Sequence, residues 1–272
     1  MRIYRLGAIA GLLVLIVLVL NVQQAHWTPR FPENPRLQAL IERQTIIVGT
    51  AITEPFEFYD AQGQLVGYDV DLMHAIAERL GVQVVWRHLA FADLLPQLQA
   101  GQLDAVIAAM YVTPQRLEEI AMSRPYIQTG LVSVVADNNT DPLTPFPQAL
   151  IHQRIGVKEG STGERFANRL RYYQGISIRL QIYTDTLDSL NDLQTGHVDV
   201  VFNDQLNTLF YIQQKGGVRI VGDIIEPAGL GIAVQQKDTE LLTFINDSLN
   251  EFEQNGFLKT LYTRWIAQDV DS

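Results

Sequence analysis

The chain has 272 residues, of which 47% are hydrophobic and 18% charged, enough for one large or two medium-sized globular domains. Its formal net charge of −10 argues against nucleic acid as a partner, because nucleic acids attract clustered basic residues. There are no cysteines, which excludes disulfides, thiolate metal sites, cysteine nucleophiles and lipid attachment through an N-terminal cysteine.

Residues 1–22 are predicted to be an export signal peptide or a membrane anchor. Arg2 and Arg5 precede an apolar run over residues 6–20, which is the pattern of such segments. The run is about 15 residues long, shorter than the ~20 that a full span requires, and only Ala25 is suitably placed for a cleavage site. Cleavage and retention both stay open. In either case we expect the rest of the chain to be periplasmic or extracytoplasmic.

A linker and an alternating series of helices and strands follow. Residues 23–36 contain several prolines and are the predicted linker, so the folded part begins at Leu37. Asp69 or Asp71 is expected at the start of the longest helix of this part, and Gly81 at its end. The predicted elements are a helix over 37–43, a strand over 46–50, a helix over 67–81, a strand over 82–86 and a helix over 91–100.

Two stretches of the chain repeat one pattern. Residues 95–116 and 190–204 share Leu-x-x-Leu-Gln-x-Gly-x-x-Asp-x-Val, with Gly101 and Gly196 as the shared glycine. Each glycine is placed to end a helix, and the apolar run after it is typical of a buried parallel strand. Polar residues follow both runs, and ligands of open α/β sheets bind beyond the carboxyl ends of strands. We therefore expect two similar lobes that share a site, although duplication without function would give the same repeat.

A second set of elements follows a turn-rich stretch over 137–147. Two strands without a following helix bracket this set, one over 130–136 and one over 229–234. The end of the chain, over 239–267, is predicted to be mostly helical. The elements predicted between the two strands are a strand over 154–158, a loop over 159–163, a helix over 164–173 and a strand over 178–182.

These elements predict an α/β fold of two lobes, each a mixed, mainly parallel sheet flanked by helices and joined to the other by two hinge strands. Residues 37–130 would form the first part of lobe 1 and residues 131–225 lobe 2. Residues 226–272 would supply the return strand and the C-terminal helices of lobe 1. A cleft between hinged lobes can close around a ligand.

Motifs spread over residues 37–267 carry a resemblance to a known family. They are Pro55-Phe56-Glu57-Phe58, Gly67-Tyr68-Asp69-Val70-Asp71-Leu72, Thr113-Pro114-Gln115-Arg116, Ser123-Arg124-Pro125-Tyr126, Gly229-Leu230-Gly231-Ile232-Ala233 and Trp265. The sequence resembles the family 3 extracellular solute-binding proteins, the periplasmic components of polar amino-acid ABC transporters, which include the glutamine and histidine receptors. The resemblance implies a type II periplasmic-binding-protein fold. It also implies two partners, an amino acid as the small-molecule ligand and a transporter permease.

The resemblance further implies two charged contacts with an amino acid. Arg116 would bind the α-carboxylate, whose geometry matches the paired donors of a guanidinium; a surface or helix-end charge is the alternative. Asp204 would accept hydrogen bonds from the α-amino group, because a buried carboxylate is unfavourable without a cation. Ser161 and Thr162 would add hydroxyl and backbone N–H groups at a helix N-terminus, a role compatible with capping that helix.

The remaining site positions concern the ligand's side chain. Phe91 matches an aromatic residue that covers it in the family, although a core position suits Phe91 too, and Ala109 would offer its backbone carbonyl. Ala51 stands where the family often has an aspartate. Tyr111 replaces a usual serine or threonine, and it would either hydrogen-bond the ligand or narrow the pocket. Glu54 would face the ligand side chain or solvent, and its charge weakly favours a polar or basic ligand.

The expected function is capture of a polar L-amino acid by a monomer that delivers it to a permease, without catalysis and without a cofactor. One alternative is an enzyme similar to cyclohexadienyl dehydratases, with Glu54 or Asp204 as general acid or base. Another is a membrane-tethered amino-acid sensor. Against an enzyme, the sequence has no carboxylate pair at short spacing, no nucleophile elbow and no phosphate loop, and its five histidines lack metal-ligand spacing.

Overall fold

Two five-stranded sheets organise the computed structural model, which describes residues 34–267. The predicted signal or anchor and most of the predicted linker lie outside the described residues. Within residues 34–267, no helix combines the length and the apolar composition needed to cross a membrane.

The elements alternate along the chain much as the sequence predicts. Up to residue 136 they are α1 (Pro35–Arg43), β1 (Thr45–Thr50), β2 (Phe58–Tyr59), β3 (Leu65–Val66), α2 (Tyr68–Leu80), β4 (Gln83–His88), α3 (Phe91–Gln99), β5 (Ala105–Val106), α4 (Pro114–Glu119), β6 (Ala121–Met122) and β7 (Ile127–Ala136). After it they are β8 (Arg154–Lys158), α5 (Thr162–Tyr173), β9 (Arg179–Tyr183), α6 (Thr186–Gln194), β10 (Val200–Asp204), α7 (Gln205–Lys215), β11 (Val218–Leu230), β12 (Ala233–Val234), α8 (Thr239–Gln254) and α9 (Phe257–Trp265).

Both sheets mix parallel and antiparallel strands. The first has the order β4-β1-β5-β12-β6, in which β4, β1 and β5 are parallel and β12 is antiparallel to both neighbours. The second has the order β11-β7-β10-β8-β9, in which β10, β8 and β9 are parallel and β7 is antiparallel to both neighbours. The predicted α/β fold with two mixed sheets is confirmed, and the parallel pairing occupies one half of each sheet.

The connection between the two sheets is a long antiparallel pair, β7 and β11. Their pairing continues from Ile127 opposite Leu230 to Ala136 opposite Val218, with a break in register between Val221 and Glu226. The sequence predicted one return strand over 229–234, but the structure divides it. Its first two residues end β11 in the second sheet, and its last two form β12 in the first sheet. The chain therefore changes sheet over two residues that belong to no strand.

Asp69 and Asp71 lie in the first turn of α2, at the start of the helix as predicted. Neither side chain caps the helix; the cap position is Gly67, with φ 135°. A Cβ at Gly67 would lie 2.2 Å from the Phe56 carbonyl oxygen, so the close backbone approach requires glycine. Asp69 is instead buried, and its carboxylate accepts hydrogen bonds from the Ala109 N–H at 2.8 Å and the Tyr126 hydroxyl at 2.8 Å.

The repeated sequence pattern has the same structural role in both lobes. Gly101 and Gly196 follow α3 and α6 with φ of 74° and 75°, the left-handed conformation predicted for them. In the first lobe the shared aspartate, Asp104, accepts a hydrogen bond from the backbone N–H of Ile47 at 2.7 Å. In the second lobe Asp199 does the same with Arg154 at 2.8 Å. Each aspartate thus fixes the beginning of the neighbouring strand.

Candidate functional site

A cavity with a mixed polar and apolar lining lies between the lobes. Residues that precede β7 line one side, and residues from the end of β8 onward line the other. The structure brings seven of the eight predicted site residues to this cavity: Phe91, Ala109, Tyr111, Arg116, Ser161, Thr162 and Asp204.

Arg116 is a buried cation, with only 5% of its surface exposed. It lies in the first turns of α4, which begins there because Thr113 caps the helix and Pro114 supplies a fixed φ. Its Nη1 donates to the Tyr111 carbonyl at 2.8 Å and its Nη2 to the Gly160 carbonyl at 3.3 Å. Nε has no partner among the described residues. Burial lowers the pKa of Arg116 to about 9, so the guanidinium is still cationic at neutral pH.

Asp204 is the charge of opposite sign, at the end of β10. It caps α7 through Oδ1, which accepts from the Asn207 N–H at 2.9 Å. Its Oδ2 accepts from the hydroxyls of Tyr111 and Thr129, each at 2.7 Å. Burial raises the pKa of Asp204, and these hydrogen bonds oppose the shift. No cationic side chain within residues 34–267 forms a salt bridge with it.

Lys158 is a third charged residue of the cavity, which the sequence analysis missed. It ends β8, and its Nζ donates to Thr53 Oγ1 at 3.0 Å and lies 4.5 Å from the centre of the Phe91 ring. Burial lowers its pKa, while the acidic groups Glu57, Asp185 and Asp204 act in the opposite direction. The signal that could have revealed it is its place at the carboxyl end of a buried parallel strand.

The Phe91 side chain lies both in an apolar cluster and in the wall of the cavity. Its side chain packs with Leu94 and Leu98 in an apolar cluster of the first lobe. One face of its ring also lines the cavity, where Arg116 lies 5.5 Å from the ring centre. The ring therefore presents its negative π face to two cations.

The N-terminus of α5 forms one wall of the cavity. Ser161 caps this helix and accepts from the Glu164 N–H at 3.1 Å, and the Thr162 hydroxyl accepts from Arg165 at 2.9 Å. Gly163 allows close packing, because a Cβ there would lie 2.8 Å from the Phe202 carbonyl oxygen. The backbone N–H groups at such a helix start favour anions.

Ala109 and Tyr111 flank the first lobe's side of the cavity. Ala109 has φ 46°, and its N–H is donated to Asp69, which leaves its carbonyl as the backbone group for other contacts. Tyr111 donates its hydroxyl to Asp204 across the cavity, so it both narrows the space and hydrogen-bonds a site residue. Burial, then the Asp204 charge, raises its pKa well above the usual value, which keeps the hydroxyl protonated.

Glu54 lies apart from the other seven residues. It lines a neighbouring cavity together with Asp185 and Asn207. The two cavities share Thr53 and Thr186 in their walls. The Glu54 backbone carbonyl accepts a hydrogen bond from the Asn207 side chain.

Direct hydrogen bonds cross the cavity from one lobe to the other. The pairs are Tyr111 with Asp204, Thr53 with Lys158, Arg116 with Gly160, and Glu54 with Asn207. The lobes are therefore held closed over the charged residues.

The comparison with known proteins places this fold and cavity in a family. A family model described as bacterial extracellular solute-binding proteins, family 3, matches residues 46–268. The chain belongs to this family. The resemblance predicted from the sequence motifs is confirmed.

Relatives of this solute-binding protein include amino-acid-binding proteins. The putative ABC transporter arginine-binding protein 2 of Escherichia coli (strain K12) is 30% identical over 223 residues, which cover 79% of this chain and 87% of that protein. A solved structure of an ancestral arginine-binding protein bound to arginine is 34% identical, with a TM-score of 0.76, and the match covers 82% of this chain and 98% of that one. An ancestral amino acid-binding protein described as a precursor of cyclohexadienyl dehydratase is 28% identical, with a TM-score of 0.77, covering 85% and 99%.

Proposed function

We propose that the protein binds an L-amino acid between its lobes. The observation that carries the proposal is the presence of Arg116 and Asp204, opposite in charge and without a salt-bridge partner among the described residues, in one cavity. Buried charges are unfavourable without a counter-charge. The α-carboxylate and α-ammonium groups of an amino acid supply both.

The other site residues have corresponding roles in this proposal. Arg116 binds the α-carboxylate together with the N-terminus of α5 at Ser161 and Thr162. Asp204 and the Ala109 carbonyl accept hydrogen bonds from the α-ammonium group. Phe91 covers the apolar part of the side chain, and Glu54 contacts only a side chain long enough to enter the neighbouring cavity.

We further propose that this binding serves transport from an extracytoplasmic compartment. The relative from Escherichia coli is named as part of an ABC transporter, which supports a permease as the partner. One proposed lobe consists of residues 37–130 and 226–267, and the other of residues 131–225. They are joined through β7 and β11, the strands that would bend as the cleft opens. A membrane-tethered sensor would use the same binding step.

A thermal-shift screen tests amino-acid binding. Full-length protein in mild detergent is heated with each of the common L-amino acids at high concentration. A ligand present at a hundred times its Kd stabilises the folded state by about 2.7 kcal/mol, which raises the melting temperature visibly. A shift with one or a few amino acids supports the proposal, and no shift with any of them contradicts it.

A dehydratase activity is the second candidate, because one structural neighbour is described as a precursor of cyclohexadienyl dehydratase. The same screen therefore includes prephenate and arogenate. Turnover of either compound would establish the enzyme, whereas a shift without turnover would support binding alone.

A further inference from the structure

Lys158 lies inside the proposed ligand cavity with its ammonium group directed at neutral partners. Its Nζ contacts the Thr53 hydroxyl at 3.0 Å and the Phe91 ring centre at 4.5 Å. No carboxylate within residues 34–267 forms a salt bridge with it. The neutral contacts only partly replace the hydration of an ammonium group, so Lys158 favours an anion in the cavity.

The charges of the cavity wall do not balance for a simple zwitterion. Arg116, Lys158 and Asp204 are the charged side chains that line the cavity within the described part of the chain. An α-carboxylate and an α-ammonium group compensate Arg116 and Asp204, and the positive charge of Lys158 is left over.

The acidic groups behind the wall compensate this excess only in part. Glu57 is fully buried outside the cavity lining, and burial raises its pKa well above the usual value, which favours its neutral form. Asp185 lines the neighbouring cavity, where its carboxylate caps α6 by accepting from the Leu187 N–H at 2.7 Å. Asp69 accepts hydrogen bonds from Ala109 and Tyr126.

A cationic ligand side chain would meet like charge in this cavity. Lys158 and Arg116 already lie 4.5 Å and 5.5 Å from the centre of the Phe91 ring, the apolar surface on which a ligand side chain would lie. A guanidinium or ammonium group placed there would be repelled by both. In this respect the cavity is unsuited to arginine, the ligand named for two of the relatives described above.

We propose that the ligand is an amino acid with a second carboxylate, L-glutamate or L-aspartate, and that Lys158 pairs with the side-chain carboxylate. The inference rests on the proposed amino-acid binding. It replaces the weak sequence-based preference for a polar or basic side chain, which depended on Glu54. Glu54 belongs to the neighbouring cavity.

Isothermal titration calorimetry on the full-length protein tests the charge selection. L-Glutamate, L-aspartate, L-glutamine, L-arginine and L-lysine are titrated into the wild type and into the Lys158→Met variant. We expect an acidic amino acid to bind the wild type at least about tenfold more tightly than any of the others, because hydrogen bonds between charged partners are the stronger ones. In Lys158→Met, the preference for the acid over its amide should fall to about threefold or less.

Control variants separate charge from packing. Lys259→Met changes an exposed lysine of α9 and should leave all affinities unchanged. Lys158→Arg keeps the positive charge and should keep the preference for acidic ligands, including in the case that Lys158→Met does not fold.

Each outcome distinguishes this inference from the proposed function. Tightest binding of arginine, lysine or glutamine by the wild type would overturn the acidic ligand and leave amino-acid binding intact. An unchanged acid preference in Lys158→Met would overturn the role of Lys158. Absence of binding for every amino acid would overturn the proposed function itself.

Discussion

At the scale of single residues, the cavity concentrates charges whose nearest neighbours are neutral. Arg116 donates to backbone carbonyls, and Asp204 accepts from hydroxyls and a backbone N–H. Such dipoles stabilise a buried charge only in part. A ligand that brings a full counter-charge should therefore bind with a more favourable free energy than its buried contact area alone would predict.

Replacing Arg116 by alanine should weaken amino-acid binding by about 2–5 kcal/mol, the usual loss when one partner of a buried charged pair is removed. Calorimetric titration with the ligand identified in the screen measures the effect. Arg171→Ala is the matched control, because Arg171 lies in the last turn of α5 on the exposed surface. A loss smaller than about tenfold in Arg116→Ala would show that Arg116 does not bind the carboxylate.

Glu57 and Asp69 predict a pH dependence of stability. Both are buried side by side, and burial raises the pKa of Glu57 well above its usual value and that of Asp69 to about 6. As the pH rises above the usual carboxyl range, the unfolded chain releases these protons before the folded protein does. Their contribution to the free energy of unfolding therefore falls between about pH 4 and pH 6 and beyond.

In the variant Glu57→Gln the side chain at position 57 is neutral at every pH, so it no longer contributes to the pH dependence of stability. We expect its melting temperature relative to the wild type to increase as the pH is raised from about 4 to 7. Thermal unfolding followed by circular dichroism measures this difference, with the exposed Glu78→Gln as the control. A difference that is constant with pH, or that decreases, would contradict a raised pKa for Glu57.

At the scale of elements, the aspartates of the repeated motif, Asp104 and Asp199, stabilise their neighbouring strands to different extents. Asp104 is buried and pairs with Arg36 and Arg43 in addition to the strand N–H of Ile47. Among the described residues Asp199 forms a salt bridge only with Arg154, and 28% of its side-chain surface is exposed. Solvent weakens the second pair.

Truncation of the two aspartates should therefore have different effects. We expect Asp104→Ala to lower the free energy of unfolding by about 2–4 kcal/mol, because it leaves the strand N–H of Ile47 without its acceptor and removes one acceptor each from Arg36 and Arg43. Asp199→Ala should lower it by about half as much or less. Urea unfolding of both variants measures the ranking, and a larger effect at Asp199 would show that exposure does not decide it.

The sequence predicted the elements well where the pattern depends on local chemistry. Gly101 and Gly196 end their helices as expected, since their left-handed backbone conformation is a local property. Asp69 lies at the start of α2 as predicted, but its buried contacts were not predictable, because its partners Ala109 and Tyr126 are distant in the chain.

The site was predictable only in part, because some of its contacts join residues that are distant in the chain. Motifs that match the family identified Arg116 and Asp204, and the structure places both in one cavity. Lys158 stands in a run of ordinary strand residues, and its approach to Phe91 depends on how the two lobes meet. The bond from Tyr111 to Asp204 likewise depends on the closed arrangement of the lobes.

At the scale of the whole molecule, closure brings backbone against backbone at one point of the cleft. Gly160 of the second lobe has φ 70°, and a Cβ there would lie 3.0 Å from the Ala92 Cα of the first lobe. A Cβ at this position would fit only if the two backbone segments moved apart by a few tenths of an ångström.

Gly160→Ala should therefore weaken ligand binding by about tenfold or more, because the added Cβ opposes closure on Ala92. Gly175→Ala is the matched control, since Gly175 has φ 67° and nothing within 4 Å of the added Cβ. Both variants should lose about 1–2 kcal/mol of stability from the left-handed conformation, but Gly175→Ala should bind ligand like the wild type. Titration calorimetry and thermal unfolding of both variants decide this, and equal affinities would contradict the closure contact.

The position of β12 within the first sheet determines the order in which a newly made chain can be completed. All strands of the second sheet lie in the continuous segment 127–230. The first sheet has β12, residues 233–234, between β5 and β6, so it stays divided until nearly the whole chain has emerged. During synthesis from the N-terminus, the lobe that begins the chain is therefore the last to be finished, and its unpaired strand edges are exposed for longest.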